Sequence, residues 1–542
     1  MSRKFGIIAI IFVVVGAIVG GIFGRLPLAA SADASLTKER VVADYREALA
    51  VIGANYVGAI DHEKVSESSI QGMLWSLDPH SSFFTRDEFR KLSEDQSSQF
   101  YGIGVSILQH RDGVYVQSII PNTPADKAGL RYGDRFLEIE GKDARKYTSA
   151  EVSKNVRGER GTPVNLKVGR AGADKPVEYN IVRGGVPLPS IRNYFMLPGG
   201  VGYVGFTGGF QETSAAELDE AIGELKNQGM KSLLLDLRNN PGGLLQQATE
   251  VVSRFVPRGQ TVVSVKGRSR YSSSQEIRAV GDKTEDLPLV IMINGGSASA
   301  SEIVAGAVQD YGRGVVVGSD SFGKGLVQRV FPLPFGTGLT LTTARYYTPF
   351  GRSLQKDYSS GSIYDYYSSH DDDEAATDAR PKPVGSPVKT AGGRIFNSGR
   401  GIEPDIKAPA LVFTPLRFRI NDAAFFFVRQ LVAGEVKGFE TFKVERQNYN
   451  QTVAPTDLQI NDKMLEAFRL FAAKDKDIGL TAENVNSQLD YARNRLRQEL
   501  ATANNSDEAG RQVLLENDPQ ILKALEAFPE ARKLMGTYTA NK

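Results

Sequence analysis

The stretch "LPLVIMINGGSASASEIVAGAVQDYG", Leu287–Gly312, decides the fold. A continuous apolar run reaches Gly295 and Gly296, three serines follow at alternate positions, and the spacing then turns helical, with Ile303, Val304, Ala307 and Val308 on one face. An apolar run of this length without alternation reads as a strand buried on both sides, as in a parallel sheet. Strand, glycine turn and helix form a unit that presents its loop at the carboxyl end of parallel strands. The same logic appears upstream. "KSLLLDLRNNPGG", Lys231–Gly243, is a buried strand ending in a glycine turn, and "LLQQATEVVSRFV" continues as an amphipathic helix. The region from 185 to 410 is therefore an α/β core.

Ser297, Ser299 and Ser301 sit on the turn of the first unit. A helix start carries unpaired N–H groups and partial positive charge, so serines there either cap the helix or lie beside ready-made donors for an oxyanion. Capping suffices to explain them by themselves. A serine nucleophile needs a base. The chain has four histidines, His62, His80, His110 and His370, and none falls between 110 and 370. There is no G-x-S-x-G elbow. A histidine triad is therefore disfavoured, and the remaining base is a lysine.

"VVVGSDSFGKGLVQ", Val315–Gln328, supplies one. Gly318, Gly323 and Lys324 match the spacing of a phosphate-binding loop, but Gly325 stands where Ser or Thr should ligate Mg²⁺. The following "LVQRVFPLPFG" is rich in β-formers, so no helix N-terminus is offered to a phosphate. Nucleotide binding is excluded on these grounds. Most lysines are solvated. This one, flanked by glycines between apolar strands, is a candidate for burial, which disfavours the charged form and lowers the pKa. Gln328 follows by an even spacing, which in an extended segment places it on the same face and lets it orient the amine.

Around this core the composition sets the frame. The 542 residues call for several domains. A net charge of +2 with no basic stripe argues against nucleic acid. The absence of cysteine excludes disulfides and thiolate metal sites. No cofactor or metal is called for. Arg3 and Lys4 precede "FGIIAIIFVVVGAIVGGIFG", Phe5–Gly24, long enough to cross a bilayer with the rest of the chain exported. Residues 1–32 are read as an uncleaved anchor or, with Ala30-Ser31-Ala32 as the cleavage site, a signal peptide. Residues 36–95 are helical in pattern, broken by "SLDPHSSFF", where His80 is read as structural. At 97–184 short strands and turns take over, with Gly102 and Gly104 before an alternating strand. After "GRSLQ" about 45 residues rich in Asp, Ser, Tyr and Pro, taken as an insertion at about 357–400, read as a solvated loop or as a lid near the cleft. Residues 411–542 read as amphipathic helices that pack on the core, bridge protomers or bind a partner.

The segment 97–184, with "FYGIGVSI" and "AGLRYGD", resembles a PDZ domain. That likeness implies a loop, Tyr101, Gly102, Ile103 and Gly104, whose amides hold the carboxylate of a peptide C-terminus while the peptide adds as a strand. Together with "SLDPHSSFF", "DLRNNPGG", "NGGSASASEIVAGAVQDYG", "GSDSFGKGLVQ", "TTARYYTPFGRSLQ" and "GIEPDI", in this order, the chain resembles carboxyl-terminal processing (tail-specific) proteases over residues 36–407. The resemblance implies a crotonase-like α/β protease core with an inserted PDZ domain. It implies an exported serine endopeptidase in which Ser299 is the nucleophile, Lys324 the general base and Gln328 its positioning partner. The oxyanion donors it implies are the amides of Ala300 and of Gly243. Expected partners are protein or peptide C-terminal tails and, through the N-terminal segment, the membrane. A homodimer and an adaptor protein are left open. The expected location is the cell envelope, extracytoplasmic or periplasmic, with anchorage in the inner membrane. The competing reading is a catalytically silent envelope scaffold that binds C-terminal peptides.

Overall fold

The computed structural model describes residues 37–96, 98–268, 274–359, 366–367, 385–391 and 393–540. The expected signal or anchor at 1–32 and His370 lie outside them. No described helix is long and apolar enough to cross a membrane.

Two units are distinguished. The first, through Gly72, contains the helix Lys38–Asn55, none of whose residues is buried, and most of the helix His62–Trp75. The second holds everything from Met73 onward.

At the centre of the second unit is a six-stranded sheet in the order Ile191–Leu197, Val201–Phe206, Ser232–Asp236, Leu289–Ile293, Val315–Gly318 and Ile406–Lys407. The first pair is antiparallel and every later pair parallel. The apolar runs are unbroken because both faces are covered. Leu233, Leu235, Ile291, Ile293 and Val316 face one cluster, with the helices Ser214–Asn227, Leu245–Val252 and Ala300–Asp310. Their neighbours Leu234, Val290, Met292, Val315 and Val317 face the other. This period of two is the geometry of a strand. Each fully buried Leu or Ile contributes about 1.5–3 kcal/mol.

The second face is covered by the C-terminal extension. Leu515, Ile521, Ala524, Phe528 and Ala531 close it. Further helices, Pro415–Ala433, Asp462–Lys474 and Leu489–Asn504, form a separate apolar cluster that takes in Tyr115 and Tyr132 of the PDZ-like region. The Tyr132 hydroxyl donates to Glu499 at 2.6 Å, and the Arg429 guanidinium donates to the Gly133 carbonyl at 2.6 Å and the Gly169 carbonyl at 3.0 Å. Of the fates the sequence left open for these helices, packing within the chain is the one observed, and they join the PDZ-like region to the core.

The PDZ-like region is a five-strand path in the order Val105–His110, Gly113–Ile119, Arg135–Ile139, Pro163–Gly169 and Val177–Val182, with helices Pro124–Ala128 and Ser149–Val156. Val105–His110 ends the path, so one of its edges is open. A second core sheet pairs Gly338–Tyr347 with Ser82–Phe84, Thr261–Gly267 and Leu326–Pro332.

Candidate active site

The helix carrying the serines starts at Ala300, with Ser299 as its N-cap at φ +55°. A non-glycine residue held there costs on the order of 1–3 kcal/mol, and such strain gathers at functional sites. The three serines diverge in use. The Ser297 hydroxyl donates to the Leu237 carbonyl at 2.8 Å, and the Ser301 hydroxyl donates to the Asn240 carbonyl at 2.9 Å. Both are fully buried. They fasten the serine turn to the Leu237–Asn240 turn, whereas the hydroxyl of Ser299 donates to no protein acceptor among the described residues. Ser297 and Ser301 thus fasten the turn and do not cap the helix, whose N-cap is Ser299, with its amide donating to Glu302.

The glycines of "NPGG" lie against this turn. The Asn240 side chain accepts from the Gly242 amide at 2.9 Å and donates to the carbonyls of Phe206 at 3.1 Å and Gly208 at 2.7 Å. Gly242 has φ +95°, and a Cβ there would stand 2.8 Å from both the Ala300 nitrogen and the Ser299 Cβ. At Gly243, φ +147°, a Cβ would stand 2.2 Å from the Phe210 carbonyl oxygen. Only glycine brings the two backbones this close. The Gly243 and Ala300 amides donate to no protein acceptor among the described residues. Ala300 opens the helix and Gly242, next to Gly243, packs against Ser299, so these two N–H groups are the candidate donors for an oxyanion.

Lys324 precedes the strand Leu326–Pro332, in a loop held from both sides. Glu302, with no exposed surface, organises it. Its Oε1 accepts from the Ser321 hydroxyl at 2.5 Å and the Gly323 amide at 2.7 Å. Its Oε2 accepts from the Lys324 amide at 2.9 Å and the Ser299 amide at 2.7 Å. One carboxylate oxygen therefore receives the backbone of both residues. All four partners are donors, which suits an ionised carboxylate, although burial pushes the Glu302 pKa up. Burial lowers the Lys324 pKa, and the Glu302 and Asp78 carboxylates raise it in part. The Lys324 amine donates to no protein acceptor among the described residues.

Asp78 and His80 come from "SLDPHSSFF". Asp78 is buried and accepts from the amides of His80 at 2.8 Å and Ser81 at 2.9 Å, from the Ser81 hydroxyl at 2.7 Å and from the Thr342 hydroxyl at 3.0 Å. Burial, with Lys324 second, lowers the His80 pKa to about 3. His80, read from sequence as structural, stands beside the Lys324 loop.

Gln328 does not meet the lysine as the alternation predicts. Its side-chain nitrogen donates to the Thr342 hydroxyl at 3.1 Å. The pairing register shifts between Val327 and Gln328, and Lys324 lies before the strand begins, so even spacing does not place the two on one face. Through Thr342, Gln328 joins the Asp78 network instead.

Of the expected carboxylate loop, Tyr101 and Gly102 close the strand Gln99–Gly102, which pairs with Gly184–Pro187. Ile103 and Gly104 follow. The Ala125 amide donates to the Ile103 carbonyl at 2.7 Å and the Ile120 amide to that of Gly104 at 3.0 Å. Gly104 has φ +87°, and a Cβ there would stand 2.3 Å from Thr123. The loop leads straight into the open-edged strand Val105–His110. A cavity of about 620 Å³ lies elsewhere, between Leu130, Arg131 and Arg170 of this region and Arg429, Val444 and Tyr449 of the extension. None of the predicted site residues lines it.

Sequence reading missed Glu302 and Asp78. A signal for Glu302 was present, since Ser299-x-x-Glu302 has capping-box spacing. Asp78 carries none, because its distance in sequence from Lys324 hides the pairing.

Residues 200–366 match the model of peptidase family S41, and residues 102–181 match that of the PDZ domain. A carboxy-terminal-processing protease of Bartonella bacilliformis is 39% identical over 308 residues, which cover 56% of this chain and 70% of the relative. The chain belongs to the carboxy-terminal-processing proteases of peptidase family S41. It is a serine peptidase with an α/β protease core, a PDZ domain and a helical C-terminal part. A probable CtpA-like serine protease of Staphylococcus aureus is 34% identical over 305 residues, 56% of this chain and 60% of the relative. Among solved structures, a photosystem II D1 C-terminal processing protease is 26% identical, covering 67% of this chain and 86% of its own, with a TM-score of 0.35.

Proposed function

We propose that the chain is an exported serine endopeptidase that selects proteins by their C-terminal tails and cleaves them through a Ser299–Lys324 dyad. The observation that carries the dyad is the single Glu302 oxygen accepting the amides of both residues, with Lys324 half-buried and its pKa lowered by burial. A neutral Lys324 amine removes the Ser299 proton as Oγ attacks the scissile carbonyl carbon. The amides of Gly243 and Ala300 stabilise the oxyanion. Collapse breaks the C–N bond, and the Lys324 ammonium returns its proton to the departing amine. Water, deprotonated by the same amine, then attacks the acyl-enzyme and frees Ser299. A donor pair of this kind contributes about 3–4 kcal/mol per donor to the transition state.

Tail recognition is assigned to Gly102, Ile103 and Gly104, with Tyr101 at the entry and the open edge of Val105–His110 receiving the peptide as an added strand. A PDZ domain of a Vibrio cholerae carboxy-terminal protease has been solved in complex with a peptide, and it is 28% identical to this region. Export and attachment to the envelope membrane are assigned to the N-terminal segment, whose charge and length suit both.

The test is incubation of the exported part with an unfolded substrate bearing an apolar C-terminus. Ser299→Ala and Lys324→Ala are each expected to lose at least about 10³-fold in kcat/KM while retaining the wild-type circular dichroism spectrum. Lys324→Arg fails too, because arginine cannot act as a neutral base. Turnover at wild-type rates by any of the three refutes the dyad, and intact, tightly bound substrate with the wild-type chain would favour the scaffold reading.

A further inference from the structure

The insertion after Gln355 returns two side chains to the catalytic site. Tyr366 is buried, and its hydroxyl lies 2.8 Å from His80 Nε2 while receiving the Gln355 side-chain N–H at 3.0 Å. The Tyr367 hydroxyl donates to the Pro79 carbonyl at 2.9 Å and lies 3.3 Å from His80 Nδ1. One assignment of protons satisfies all four contacts. A hydroxyl has one proton. Tyr367 gives its own to Pro79, so it accepts from Nδ1–H of His80. Nε2 is then the acceptor and takes the proton of Tyr366, whose oxygen is left to accept from Gln355. In that arrangement the imidazole is neutral, in keeping with its partial burial next to Lys324.

Gln355 and its neighbour Lys356 also grip the lysine loop. The Gln355 side-chain oxygen accepts from the Gly325 amide at 2.9 Å, and the Lys356 amide donates to the Gly323 carbonyl at 2.9 Å. The Lys356 amine lies 4.0 Å from the Phe322 ring centroid and 4.5 Å from that of Tyr366. Phe322, Gly323 and Gly325 flank Lys324 in sequence, so the loop is held on one side by Glu302 and on the other by Gln355 and Lys356, with the two tyrosine rings packed against Phe322.

We propose that Tyr366 is a positioning residue for the peptidase reaction: through His80 and Gln355 it holds the lysine loop in its desolvated place. Tyr366 and Tyr367 of the insertion are thereby tied to the catalytic apparatus. This rests on the reading of Lys324 as the base. The titratable groups around the His80–Lys324 pair are Glu302 from the catalytic helix, Asp78 from the preceding turn, Lys356, and the two tyrosines. Without Tyr366, His80 Nε2 and the Gln355 amide lose their common partner and water reaches the lysine. Its pKa then moves back toward the ordinary lysine value, and less of it is neutral at pH 7.

The experiment is the pH dependence of kcat and kcat/KM for the full chain, as wild type and as Tyr366→Ala, Tyr366→Phe and Lys324→Ala. Tyr366→Ala is expected to move the rising limb to higher pH. Activity at pH 7 falls about tenfold for each pH unit by which the limb moves, carried by kcat, and is recovered at alkaline pH. Tyr366→Phe keeps the ring over Lys356 and loses only the hydroxyl, so it moves the limb the same way by less, and it serves as the measurement should Tyr366→Ala fail to fold. A limb unmoved in both variants, or an equal loss at every pH, overturns the proposal. Should Lys324→Ala be inactive while the tyrosine variants keep the wild-type limb, this inference alone falls; an active Lys324→Ala removes the base assignment first.

Discussion

The two halves of the proposed dyad, Ser299 and Lys324, are built in different ways. The serine half is local. A buried strand, a glycine turn and a helix place Ser299, and the partner turn at Asn240–Gly243 belongs to a second unit of the same kind. The lysine half is assembled from distant parts of the chain: Glu302 from the catalytic helix, Asp78 and His80 from the N-terminal side of the PDZ domain, Gln355 at the end of the core motifs, and Tyr366 from the insertion. A nucleophile needs a fixed hydroxyl beside fixed amides, which backbone geometry supplies. A neutral lysine needs a solvent-free pocket with its charges set, which many side chains must supply together.

Breaking the group shared by both halves should have the largest effect. Glu302→Ala leaves three amides and a hydroxyl without an acceptor in the interior, so a stability loss of at least about 3 kcal/mol is expected in urea unfolding. Peptidase activity should fall at least about 10²-fold under folding conditions. Retention of full activity would show that the halves are positioned independently.

The serine half alone is addressed by Gly243→Ala. The added Cβ meets the Phe210 carbonyl oxygen, which displaces an oxyanion donor. A fall in kcat of about 10²–10³-fold with little change in KM is expected, and steady-state kinetics separate the two.

Asp78→Asn sharpens the lysine half. The Asp78 carboxylate raises the Lys324 pKa. Its removal leaves burial less opposed, the lysine pKa falls further, and the rising limb of kcat/KM moves to lower pH. The direction is opposite to that expected for Tyr366→Ala. The change at any one pH should stay within about tenfold, and a limb displaced to higher pH would contradict the assigned sign.

The smallest effect is expected from Ser297→Ala. Losing its bonds to Leu237 and Asn294 costs about 1–2 kcal/mol by thermal or urea unfolding, with kcat within a few-fold of wild type. Such a result separates the fastening serine from the reacting one two residues away.

The C-terminal extension bears on the serine half as well. Arg238 of the "DLRNNPGG" turn donates to Asp518 at 2.7 Å and to Gln520 at 2.8 Å, and pairs with Asp236 at 2.7 Å. Helices that bind the PDZ domain through Tyr132 and Arg429 thus belong to the same extension that holds the strand end behind the oxyanion turn.

The sequence by itself determined what local periodicity and local turn chemistry encode. Unbroken apolar runs gave the doubly covered parallel sheet. Paired glycines gave the turns, and the lack of histidine in the core pointed to a lysine as the candidate base. Its long-range blindness is equally specific. Three serines at alternate positions looked alike until Leu237 and Asn240 claimed two of them. Gln328 was placed by an alternation that a bulge at Val327–Gln328 interrupts. Asp78, His80 and Tyr366 come together around the Lys324 loop only in three dimensions, because desolvation and proton sharing depend on which side chains surround a group, and chain order does not record those neighbours.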